Sequence, residues 1–229
     1  MTAAPARRGR PGYDLETLLG VAVQVFNERG YDGTSMEDLS QRLGIAKSAI
    51  YHHVGSKEQL LGLALDRALD GIFAMASEIQ GLPSPAIERL DRLVRGSVEV
   101  LMDRLPYVTL LLRVRGNTDT ERHALERRRR FDRLVADLVA EAAAEGDLRA
   151  DIDPPVVARL LFGTVNSLVE WYRPGRTAVD EHLPDHVCAM AFDGLRVRGA
   201  FPAGRPARPR QRPVAAATRA AVRRASSAR

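Results

Sequence analysis

The chain has 229 residues, is 45% hydrophobic and 28% charged, and carries a formal charge of +5 at neutral pH. That composition fits a soluble globular protein with a substantial core and excludes a disordered or collagen-like chain. No apolar run reaches the roughly 18 residues of a membrane helix; the N-terminus is basic but lacks the apolar stretch of a secretory signal; and the single cysteine, Cys188, excludes an intramolecular disulfide and fits a reducing cytoplasm.

The charge is unevenly spread. Met1–Gly12 holds Arg7, Arg8 and Arg10 and no acid, and Gly199–Arg229 holds eight arginines and no acid. Residues between these arms are therefore net acidic, and the arms are expected to engage a polyanion, most simply DNA. Arg8-Gly9-Arg10-Pro11 matches the core of an AT-hook, whose arginines enter an A·T-rich minor groove. The plainer reading of this arm is a flexible solubilising tail.

Tyr13 to Arg29 reads as an amphipathic helix with Leu15, Leu18, Leu19, Ala22 and Phe26 on one face, ended by Gly30. Thr34-Ser35 opens the next. Ser35 is a good N-cap, and Asp38 stands where a capping-box acid belongs. Met36, Leu39 and Leu43 share a face; Gly44 breaks the helix and Ile45 plugs the corner. Ala46 to Val54 reads as a second short helix, Ile50 and Val54 inward, with Lys47, Ser48, Tyr51 and His52 outward. Gly55 closes it, and Ser56 with Gln59 caps the next. Two helices across a tight turn, the second with a basic, hydroxyl-rich outer face, describe a helix-turn-helix.

That outer face suits DNA. Lys47 offers charge to a phosphate or a guanine edge, Ser48, Tyr51 and His52 offer hydrogen bonds, and Ala49 allows close approach and contact with a thymine methyl. Lys57 lies in the first turn of the following helix, where backbone N–H groups also attract phosphate. Lys47 and Lys57 are the chain's only lysines, and both fall in this stretch. Thr34 and Ser35, at the entrance of the first of the two helices, are placed with this DNA-binding set.

AIYHHVGSKEQLL resembles the recognition-helix segment of the TetR family of bacterial transcription regulators, and AVQVFNERGYDGTSMEDLSQRLGI is similar to that family's first two helices. The resemblance covers about Tyr13 to Leu69. Val54 departs from it, standing where the family usually has Phe, which removes core volume but leaves the DNA face untouched.

Farther along, Ser56 to about Gln80 reads as a long helix leaving the head, broken by Gly81-Leu82-Pro83-Ser84-Pro85. Helices follow over Pro85–Arg104, Tyr107–Arg115 and Asn117–Gly146; the last contains Arg127-Arg128-Arg129-Arg130, read as side chains spread round a solvated helix rather than as a nucleic-acid patch. Asp153 to Tyr172 carries two apolar stripes, Val157-Leu160-Leu161-Thr164-Leu168 and Phe162-Val165-Val169, so it must bury two sides. Together with a last helix, Val179 to Arg198, it is expected to form a homodimer through a four-helix bundle, as the resemblance also implies. Phe201 to Arg229 is low-complexity and expected to be disordered, with Ala215–Ala225 a possible basic helix on DNA.

The expected fold is all-α: a basic arm (1–12), a three-helix head (13–60), a larger helical effector and dimerisation domain (61–198) and a tail (199–229). An enzyme is not expected, since the chain has no G-x-S-x-G, P-loop, H-E-x-x-H or Rossmann fingerprint. His182, His186 and Cys188 are the one metal-like cluster; Pro184 interrupts their spacing, and they read as surface histidines at the start of a dimer helix. No metal or cofactor is expected. The resemblance implies a ligand cavity in the body, for which Leu101, Met102, Leu110, Leu111, Phe162, Asn166 and Trp171 are the candidate lining. NSLVEWYRPG, Asn166 to Gly175, resembles TetR members that control fatty-acid and sterol-ring degradation, which implies an acyl-CoA or other bulky apolar effector. A sequence-tolerant DNA-compacting protein driven by the arginine arms is the alternative.

Overall fold

Asp14 starts the first helix by accepting a hydrogen bond from the Thr17 N–H at 2.8 Å. This computed structural model describes residues 14–175 and 181–193. The arm with Arg8 and Arg10, the C-terminal tail and both ends expected for the last helix lie outside the described residues, within which there is no strand.

Helix α1 (Leu15–Arg29) buries Leu18, Leu19, Ala22 and Phe26 as its pattern predicts. Helix α2 (Met36–Leu43) starts with a complete capping box: the Ser35 hydroxyl accepts from the Asp38 N–H, and the Asp38 carboxylate accepts from the Ser35 N–H. Gly44 then adopts φ 67°, ψ 31°, a left-handed conformation that favours glycine, and turns the chain into the corner. Helix α3 spans only Lys47–Tyr51, shorter than the expected Ala46–Val54. Ala46 has no side chain to cap it, and the Ile50 carbonyl accepts both the His53 and Val54 N–H groups, closing the segment as a tight turn. Val54 is nevertheless buried beside Ile50.

Helix α4 (Lys57–Gln80) belongs to two cores. Its first half, through Leu69, packs with α1–α3 and with Leu110, Leu111 and Val114 of α6 (Leu105–Arg113) and the residue after it. Its second half joins α5 (Ala86–Asp103), α7 (Asp119–Glu145) and α8 (Pro154–Trp171) through Ala76, Ile79, Leu90, Phe131 and Phe162. Helix α9 (Leu183–Cys188), followed by a π-helical turn over Ala189–Asp193, closes a third cluster with Val94, Val98 and Val165. Cys188 lies inside that cluster, and burial pushes its thiol up to about 12, so it is unreactive at neutral pH. Among the described residues no helix is long and apolar enough to cross a membrane.

Polar contacts tie α4 to the body. Arg127 reaches Asp66 and Asp70 at 2.7 and 2.5 Å, and Arg104 donates to the Arg67 carbonyl at 2.6 Å. Glu121, only 4% exposed, accepts the N–H groups of Arg115, Gly116 and Asn117 at 3.0, 2.7 and 2.9 Å. It fixes the α6–α7 turn against the head. Glu121→Ala removes the shared acceptor of three part-buried N–H groups and is expected to cost about 2–3 kcal/mol, read as a lower urea midpoint with an unchanged m-value.

Candidate DNA-binding face and effector cavity

The candidate recognition face is built from the corner outward. Ile45, Ile50 and Val54 anchor α3 on the head core, which leaves Lys47, Ser48, Tyr51 and His52 exposed on its other side, with Ala49 half-buried between them. Tyr51 is 46% exposed, high for a large aromatic ring with no ring partner. Neighbouring head arginines are already committed: Arg29 pairs with Asp38 and Arg42 with Glu28, both at 2.9 Å, bracing α1 against α2. Lys47 has no ion-pair partner among the described residues, so its charge is available to a phosphate or base.

The two lysines divide the work. Lys57 does not stand free at the head of α4. Its ammonium donates to the carbonyls of Tyr31 and Thr34 at 2.9 and 2.7 Å and sits 4.2 Å from the Tyr31 ring centroid. It locks α4 onto the α1–α2 corner, leaving one N–H for any phosphate. Thr34, placed with the DNA-binding set, is 2% exposed, and its hydroxyl donates to the Gly30 carbonyl at 2.7 Å, so its side chain is turned into the head rather than out with the α3 face. Ser35 is exposed but its hydroxyl serves the α2 cap.

In the body, a cavity opens between α4, α5, α6, α7 and α8. It measures about 70 Å³, widening to about 600 Å³ when its open mouth is counted. Four of the predicted lining residues are there: Leu101, Leu111, Phe162 and Asn166. Three are not. Met102, one residue and about 100° round α5 from Leu101, packs in the third cluster. Leu110 faces the head core. Trp171 is 54% exposed on the outer side of α8. The two stripes expected on α8 also regroup: Ala158, Phe162, Val165 and Leu168 face inward, while Val156, Leu160, Gly163, Ser167 and Trp171 form an outward row at i, i+4, i+7, i+11, i+15.

Sequence reasoning missed the cavity's charged pair, Arg128 and Asp132. The arginine run does not lie uniformly in solvent: Arg128 continues the inward row Ala124, Phe131 and Val135, a spacing that was there to be read. Burial lowers the Arg128 pKa, with Asp132 opposing, and among the described residues its guanidinium reaches only the Leu111 carbonyl, at 3.5 Å. Asp132 meets solvent on one side, yet desolvation on the other raises its carboxyl above the usual range against the pull of Arg128, Arg159 and Arg133.

The sequence matches the family described as bacterial regulatory proteins, tetR family, over residues 18–64, and the tetracyclin repressor-like C-terminal domain over residues 83–195. It is 31% identical over 202 residues to the HTH-type transcriptional repressor KstR2 of Rhodococcus jostii, covering 85% of this chain and 98% of that one. The chain belongs to the TetR family. Its fold is similar to the crystal structure of SCO3833 from Streptomyces coelicolor A3, a family member 54% identical, with a TM-score of 0.74 over 86% of this chain and 96% of that one. It is also similar to AibR in complex with isovaleryl coenzyme A and operator DNA, at 25% identity and a TM-score of 0.67 over 77% of this chain and 97% of that one. This chain is thus a DNA-binding transcriptional regulator, and α3 lies within the matched regulatory segment.

A raised carboxyl pKa means that Asp132 favours folding most when protonated. That contribution is present below the ordinary carboxylate range and is lost as pH rises through the raised native value. Asp132→Asn is therefore expected to raise Tm at pH 7 and to leave it unchanged near pH 3, as a pair of melting curves would read.

Proposed function

We propose that this chain is a homodimeric repressor that holds a near-palindromic operator and leaves it when an apolar effector, most simply an acyl-CoA, enters the body cavity. One observation carries the reading. The exposed Lys47-Ser48-Tyr51-His52 face and the cavity are joined by α4, whose first turn is locked to the head and whose Ala68, Leu69 and Ile72 wall the cavity. The names of KstR2 as a repressor and of AibR with isovaleryl coenzyme A and operator DNA point the same way.

Size argues for coupling. Ligand pockets usually hold about 300–1,000 Å³, and this cavity is about 70 Å³ before its mouth is counted. An effector of any bulk must part the walls, and α4 is one of them. Release follows only if the effector binds the parted form more tightly than the operator-bound form. Two α3 helices entering successive major grooves require a fixed separation of about 34–36 Å or a multiple of it. Arg8 and Arg10 of the N-terminal arm add minor-groove contacts beside them.

The operator reading is tested by binding to the protein's own upstream DNA against unrelated competitor over a salt series. Lys47→Ala is expected to keep wild-type stability and to lose about 1–3 kcal/mol of preference for the operator. Lys57→Ala is expected to lower the unfolding midpoint as well, because it unties the Tyr31–Thr34 corner. Equal affinity for competitor DNA in the wild type would favour the compacting, tail-driven alternative.

The outward row on α8 supports the dimer. Leu160 is 63% exposed, Trp171 caps the row, and Gly163 has open space where a side chain would stand, so a second helix can approach closely. Leu160→Glu is expected to shift sedimentation from dimer to monomer and to abolish operator binding while leaving helical content unchanged.

A further inference from the structure

Beside the apolar cavity lies a second recess, of about 560 Å³ including its open side, between α7 and α8. It is lined by Arg129, Arg133 and Arg159, with Asp132 between them and Pro155 and Ala158 at its base. Arg29, Arg42, Arg89, Arg95, Arg127 and Arg149 each hold a carboxylate. Arg129, Arg133 and Arg159 hold none within ion-pair distance among the described residues, although all three are exposed and gathered on one depression. Like charges spread apart unless something binds them, and Asp132 supplies one negative charge against three positive ones.

The recess and the cavity adjoin. Asp132 lines both. On α7, Arg128 and Phe131 face the cavity while Arg129 and Arg133 face the recess; on α8, Phe162 faces the cavity one turn from Ala158 and Arg159. An apolar chamber with a half-buried guanidinium thus opens beside a cluster of three more that Asp132 only partly compensates. Guanidinium groups bind phosphate oxygens through paired, charge-assisted N–H donors, so the two compartments together match a ligand with an apolar body and a phosphate-bearing tail.

We propose that Arg129, Arg133 and Arg159 form a phosphate site that holds the nucleotide end of an acyl-CoA thioester while its acyl chain occupies the adjoining cavity. This rests on the effector reading above and sharpens it: the site selects the coenzyme ester over the free acid. Arg128 meets the polar junction between acyl chain and carrier. Asp132 keeps the empty recess from carrying its full positive charge and opposes the incoming phosphates.

The test is calorimetric titration of the full-length protein with octanoyl-CoA, octanoate and coenzyme A, each repeated on Arg129→Gln/Arg133→Gln/Arg159→Gln and on Asp132→Asn. These three arginines make no hydrogen bond or ion pair within the described residues, so the triple variant should fold, which its melting curve checks. Octanoyl-CoA is expected to bind the wild type at least tenfold more tightly than octanoate. The triple variant should lose at least tenfold for octanoyl-CoA and coenzyme A and nothing for octanoate, and Asp132→Asn should tighten octanoyl-CoA severalfold. Octanoyl-CoA binding that is unchanged in the triple variant, or no tighter than octanoate, overturns the phosphate site. Release of operator DNA by octanoate or octanoyl-CoA, read in parallel, separates the two levels. Release that ignores the three arginines leaves the effector reading standing and removes this one, and absence of both binding and release with every compound removes both.

Discussion

The Lys57 ammonium is the contact on which the rest of this molecule turns. It bridges the Tyr31 and Thr34 carbonyls and lies against the Tyr31 ring, so the first turn of α4 cannot move without carrying the α1–α2 corner. Charge-assisted hydrogen bonds to two carbonyls are stronger than neutral ones, and here they act in the first turn of a 24-residue helix whose first half packs in the head core. A helix is stiff along its axis. Under the effector reading proposed above, what the far half of α4 feels among α5, α7 and α8 would reach the α3 face as a rigid rotation of the head rather than as a local distortion.

Arginine is used in three distinct ways on one helix. Arg127 spends both guanidinium nitrogens on Asp66 and Asp70 and welds α7 to α4. Arg128 is turned inward and left almost unpaired. Arg129 and Arg133 face out over the α7–α8 recess. Successive residues on a helix differ by about 100°, so a run of four like charges samples every environment round it. One run therefore contributes a weld, a polar point in an apolar chamber and two walls of a basic recess, and its average charge describes none of them.

Much of the head could be read from the sequence because its signals are local. The Ser35–Asp38 capping box, Gly44 at the corner and the inward Ile50 and Val54 each depend on neighbours within a few residues. The length of α3 could not be read that way, since the tight turn at Ile50–Val54 is fixed by the core below it. Nor could the inward turn of Lys57, whose partners lie 23 and 26 residues back. In the body, periodicity marked which helices have two apolar sides but not which side faces which neighbour. Leu160 therefore turned outward while Leu168 of the same stripe joined Phe162 and Val165 inside, and Trp171, expected at the cavity, lies on the outer side. The cavity's charged pair was missed for a different reason: composition averaged Arg128 with its solvated neighbours, while its spacing from Ala124 and Phe131 set it apart.

The head touches the body at a second joint, and it is built differently from the first. The Asn27 side-chain amide donates to the Pro106 carbonyl at 2.8 Å, and Arg113 donates to the Asn27 carbonyl at 2.7 Å, linking the end of α1 to both ends of α6. The Asn27 side-chain oxygen is buried without a partner. An unsatisfied buried acceptor costs free energy in the closed joint that solvent would return on opening, so this joint is held less firmly than the Lys57 lock. Helix α6 also walls the cavity through Val108, Leu111 and Leu112. A ligand that parts the cavity walls therefore pushes on two routes to the head at once, one rigid and one yielding. When a strong joint and a weak one share a displacement, the weak one opens and the strong one becomes the pivot. In the proposed dimer the head would then swing about the Lys57 corner, changing the spacing of the two α3 helices while leaving each helix-turn-helix intact.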